Sequence, residues 1–111
     1  MRISEIPDRW TIIRIDNNGN IIHKVFASWS GGYLDGDSWK LNSGITKVDS
    51  DEDNYYFYGV SGSCYKCSRT RYGIATAYSL GILNNIIDRV GIVEGVSVSV
   101  LEDSENWMDL L

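Results

Sequence analysis

A chain of 111 residues has room for one domain with a single core, and 43% hydrophobic with 23% charged residues excludes an intrinsically disordered polymer. Fifteen acidic against ten basic residues leave a net charge of −5, which disfavours direct nucleic-acid binding through generic backbone contacts. No run approaches the ~20 consecutive apolar residues of a membrane helix, and Glu5, Pro7, Asp8 and Arg9 stand where a signal peptide needs an apolar stretch.

In chain order, the first half reads as strands separated by turns. Trp10–Ile15 and Ile21–Ser28 flank Asn17-Asn18-Gly19-Asn20. Asn-Gly between two apolar runs predicts a hairpin, because a type I′ turn needs positive φ at both central residues. Short strands are expected at Ser38–Leu41 and Gly44–Val48, around Asn42-Ser43-Gly44. The polar tip Asp49–Asn54 then leads into Tyr55-Tyr56-Phe57-Tyr58-Gly59-Val60, a strand by composition. Ser61-Gly62-Ser63 turns it into a partner strand ending at Cys67.

The period then changes. Ile74, Tyr78, Ile82, Leu83, Ile86, Ile87 and Val90 recur at spacings of three and four, which predicts one apolar helix face. Gly81 inside that helix implies a close approach by a neighbour, and Gly91 is placed as its C′ residue. Val96, Val98 and Val100 alternate with Ser97 and Ser99 as a half-buried strand. Ser104 is the expected cap of a last short helix. The fold class is therefore α+β: an antiparallel, meander-like sheet of about five to seven strands, one main helix in the C-terminal half packed on it, and a short terminal helix, all in a single domain spanning 1–111.

Motifs for chemistry are sparse. Cys64-Tyr65-Lys66-Cys67 lacks a second cysteine pair, and His23 is the only histidine, so no metal site is expected. Residues three apart on a strand face opposite ways, which argues for structural cysteines over a thiol enzyme. Two cysteines also fit a reducing, cytoplasmic compartment. His23 is in phase with Ile21 and Val25, facing a partly buried sheet surface rather than a catalytic cleft. Asp49, Asp51 and Asp53 open like a calcium loop, but Asn54 replaces its glycine and Val60 its closing glutamate.

Charge is unevenly distributed. Asp35, Asp37, Asp49, Asp51, Glu52 and Asp53 form one acidic block, and residues 94–109 form a second. Between them, Ser61, Ser63, Tyr65, Lys66, Arg69, Arg71 and Tyr72 make a basic, hydroxyl-rich segment that could hold an anionic ligand with a ring available to stack. Trp29 and Trp39 flank the Gly31–Asp37 loop, a composition common at protein-binding surfaces.

The segments Asp37-Ser38-Trp39-Lys40-Leu41-Asn42-Ser43-Gly44-Ile45 and Tyr58-Gly59-Val60-Ser61-Gly62-Ser63-Cys64-Tyr65 resemble small uncharacterised accessory proteins of phages and prophages. The resemblance implies a mobile-element context, a class that includes many inhibitors of host defence, and no catalytic residue.

Two functions are expected from these observations. The first is a non-enzymatic acidic inhibitor that masks a basic surface of a host protein through Trp29, Trp39 and the first acidic block. The second is a small-molecule or nucleotide binder using residues 61–72. Neither requires a cofactor, and a homodimer is compatible with both.

Overall fold

The computed structural model describes residues 2–31, 36–103 and 106–110. Within them lie β1 (Arg9–Asn17), β2 (Asn20–Trp29), β3 (Ser38–Leu41), β4 (Ile45–Ser50), β5 (Asn54–Gly59), β6 (Cys64–Ser68), the helix α1 (Ala77–Gly91), β7 (Val96–Val100) and a 3-10 turn at Trp107–Asp109. The expected α+β class holds, with seven antiparallel strands among the described residues. They divide into two sheets rather than one: a four-stranded sheet ordered β3-β2-β1-β7 and a three-stranded sheet ordered β4-β5-β6.

The Asn-Gly hairpin forms as its turn chemistry requires. Asn18 and Gly19 have φ of 53° and 90°, and Asn17 pairs with Asn20 to close the β1–β2 ladder. The same turn recruits β7, for Asn18 N–H donates to Gly95 O at 2.8 Å just before β7 runs along β1.

Strand alternation sends the two faces of the four-stranded sheet into different cores. Ile13 and Phe26 face α1, meeting Leu83, with Ile82, Ile86, Ile87, Leu41 and Val98 packed around them. Trp10, Ile12, Val25 and Ala27 face the three-stranded sheet, meeting Tyr55, Phe57, Tyr65, Cys67 and Trp107. The architecture is thus a helix, a sheet and a second sheet in layers. Trp10 sits at the centre of the second core, with the rings of Phe57, Tyr72 and Trp107 at 5.3, 4.8 and 5.9 Å. Burying such large rings is how a small domain reaches stability.

The helix departs from expectation at four points. Thr76 is its N-cap, accepting from Ser79 N–H at 3.1 Å, so the helix starts later than the apolar periodicity does. Tyr78 is 53% exposed, because only the stripe through Leu83 contacts the sheet. Gly91 is the last helical residue rather than a left-handed C′ glycine, with Ile92 closing the end in an ordinary helical conformation. Gly81 has open space where a side chain would project, so no close approach accounts for it. Ser104, the expected cap of the terminal helix, lies outside the described residues; that helix is the single 3-10 turn at Trp107–Asp109.

Candidate functional site

The acidic tip is organised around its own backbone. Asp51 Oδ1 accepts from Asp53 N–H and Asn54 N–H at 2.9 and 2.8 Å, and its Oδ2 accepts from the Tyr56 hydroxyl. The Tyr56 hydrogen bond, followed by those backbone donors, holds the Asp51 carboxyl below the usual aspartate value. Asp49 likewise accepts from Ser50 N–H. Glu52, Asp53 and Asp37 are exposed, and Asp35 lies outside the described residues.

Trp29 and Trp39 both line a groove of about 640 Å³ with Glu5, Asp8 and Lys40. Each has a structural task. Trp29 Nε1–H donates to Ile6 O at 2.9 Å, and Trp39 stacks on the buried Phe26 ring with centroids 5.7 Å apart. Trp39 stays 38% exposed.

The cysteines are buried and unbridged. Burial pushes the Cys67 thiol well above its ordinary value and raises that of Cys64 too, so both stay protonated at neutral pH. A thiolate nucleophile is disfavoured by this environment. Tyr65 and Cys67 share the core face, whereas Cys64 pairs with Tyr58 on the next strand. Partial burial, then the neighbouring Arg14 charge, lower the pKa of His23, keeping its imidazole neutral. Among the described residues no three His, Cys, Asp or Glu side chains converge as a metal site.

The 61–72 segment does not form one site; its residues disperse. Tyr72 enters the core, where its hydroxyl donates to Leu101 O and accepts from Ile12 N–H. Arg69 is employed at the acidic tip: its guanidinium lies 4.2 Å from the Tyr55 ring centroid and donates to Tyr55 Oη and Asp51 O, each at 3.0 Å. Lys66 is half-buried opposite Tyr56, on the side of the three-stranded sheet away from the core. The remaining residues line two clefts, and the N-terminal segment takes part in both.

In the first cleft, about 400 Å³ in volume, Arg9 and Arg71 stand with Ser30, Ser68 and Asp8. Their position follows from the backbone. Trp10 and Tyr72 form a parallel bridge, with Trp10 N–H donating to Arg71 O at 3.2 Å and Gly73 N–H to Trp10 O at 2.8 Å. Both rings turn into the core, so the preceding residues, Arg9 and Arg71, turn outward side by side. Gly73 adopts φ 141°, a conformation that favours glycine, and Arg9 lies beside it. Asp8 already accepts from Ser30 N–H at 2.9 Å, and among the described residues neither guanidinium has an ion pair or hydrogen bond.

The second cleft, about 420 Å³, brings together Asn42, Ser43, Ser61, Ser63, Lys24 and Tyr65. Ser4 and Glu5 form its rim, held along β6 by hydrogen bonds to Cys64 O and from Lys66 N–H. Glu5 pairs with Lys40, and that hydrogen bond raises the Lys40 pKa.

Sequence reasoning found Ser61, Ser63 and Arg71 but missed Arg9, Lys24 and Asn42. Asn42 reads as turn punctuation, and Arg9 as part of a polar leader; only pairing partners distant in sequence reveal either role. No family model, curated protein or solved structure matches this chain, so the site stands on its own geometry.

Proposed function

We propose that this chain is a non-enzymatic binding protein that takes a phosphate-bearing ligand between Arg9 and Arg71. The observation that carries the reading is a pair of like charges placed side by side by the Trp10–Tyr72 bridge, with no acid partner among the described residues. Like charges directly opposed across a ladder are destabilising, and a bound oxyanion turns that repulsion into attraction. Two guanidiniums offer forked donors that match phosphate oxygens, and the Ser30 and Ser68 hydroxyls line the same cleft. The protonated thiols and neutral, isolated His23 support binding over catalysis.

The acidic masking surface is the weaker reading, because Asp51 and Asp49 already serve their own loop. A thermal-shift titration with inorganic phosphate, pyrophosphate and nucleoside phosphates tests the proposal. Ligand at ~100 times Kd adds ~2.7 kcal/mol of stability, and Arg9→Ala or Arg71→Ala removes the shift. A wild-type protein whose melting temperature ignores every phosphate overturns the reading.

A further inference from the structure

We infer that the Asn42 cleft is a second, separate binding site, built for a small carboxylate. Asn42 is only 2% exposed, and its backbone N–H donates to Val25 O while its Oδ1 accepts from Val25 N–H at 2.8 Å. That second bond fixes the amide orientation, since the flipped amide would set two donors against each other. Its Nδ2 is left buried without a partner. An unmet donor of this kind costs about 1–3 kcal/mol, and a ligand oxygen would meet it.

The hydroxyls beside it are linked to one another. Ser43 Oγ accepts from Ser61 N–H and donates to Ser61 Oγ, which donates in turn to Ser63 Oγ. The Ser63 hydroxyl hydrogen therefore ends the chain and is free to donate outward.

Gly59 gives the room that lets the Ser43 and Ser63 hydroxyls approach Asn42. Its backbone is not left-handed, so conformation does not require glycine there. Space does: a Cβ at Gly59 would lie 2.5 Å from Ser43 Oγ, 2.8 Å from Ser63 Oγ and 3.5 Å from Asn42 Nδ2.

The charge selects the ligand class. Glu5 neutralises Lys40, whereas Lys24 has no ion-pair partner among the described residues. The cleft thus presents one net positive charge with neutral amide and hydroxyl donors, and it lacks the guanidinium fork of the other cleft. A singly charged carboxylate matches this set better than a dianionic phosphate.

The test follows the Asn42 side-chain amide signals of the full chain by NMR during titration with acetate, N-acetylglycine, N-acetylglycinamide and a tripeptide with a free C-terminus. The two small acids are expected to shift the Asn42 signals, and the uncharged amide is not. The tripeptide result identifies the source: binding as tight as that of the small acids assigns a peptide C-terminus, and exclusion assigns a free metabolite acid. Ser63→Ala and Lys24→Gln, both at partly exposed positions, should each weaken acid binding about tenfold. Arg71→Ala should leave it unchanged, which separates this inference from the phosphate reading. Signals that ignore all four probes, or that respond equally to acid and amide, overturn it and leave a trapped water as the partner of Asn42.

Discussion

Arg69 and Arg71 lie two residues apart in one turn and do opposite things. Arg69 covers the Tyr55 ring and donates to Tyr55 Oη and Asp51 O, so its guanidinium is engaged within the fold. Arg71 stands beside Arg9 with no partner among the described residues. Between them, the turn at Arg69–Thr70 reverses the chain, and Tyr72 then plunges into the core. A side chain that the fold uses cannot also be free for a ligand. The contrast separates a structural arginine from one held ready to bind.

The largest test of this contrast is the residue that anchors the turn. Tyr72→Phe strips both partners from Ile12 N–H and Leu101 O and should cost about 2 kcal/mol in urea unfolding at neutral pH. Burial pushes the Tyr72 hydroxyl up to about 12 from 10.0. A folded-state value above the unfolded one means this stabilisation is complete below pH about 10 and fades as pH rises toward 12. The phenylalanine variant should therefore lose less stability than wild type across that window. Parallel alkaline curves for the two proteins would show that the hydroxyl is not the titrating group.

A smaller loss is expected from Arg69→Ala, about 1 kcal/mol, from the ring contact and from one exposed and one part-buried hydrogen bond. Lysine at this position should not restore it, lacking the planar fork. The smallest stability effect belongs to Arg71→Ala, within about 0.5 kcal/mol of wild type, since it removes a side chain with no partner and relieves repulsion from Arg9. Phosphate-dependent stabilisation should nonetheless disappear in Arg71→Ala, as in Arg9→Ala, and persist in Arg69→Ala. An Arg71→Ala protein as destabilised as Arg69→Ala would erase the distinction between the two.

Much of the local structure was legible in the chain. Asn18-Gly19 dictates its hairpin because few residues tolerate positive φ, and the Tyr55–Tyr58 aromatics dictate a strand. The separation of the acidic and basic blocks was equally legible, since charge is additive along a sequence. What the basic block does was not. Residues 61–72 look like one site because they are contiguous, yet strand alternation and a single turn send Tyr65 and Tyr72 to the core, Arg69 to the acidic tip, and Ser61, Ser63 and Arg71 to two different clefts.

The sequence by itself determined the elements, because helix periodicity, turn chemistry and strand alternation act over a few residues. Only the tertiary structure decided the division into two sheets and the meeting of Arg9 with Arg71 and of Asn42 with Ser63. Those pairings depend on which strand edges find each other across the chain. Local propensity carries no information about such partners, whereas burial of the Trp10 cluster, which draws β1 against β5, β6 and Tyr72, does. The same packing that satisfies the core leaves Arg9 and Arg71 without an ion pair among the described residues and the Asn42 amide with an unmet donor, and the binding proposals rest on them.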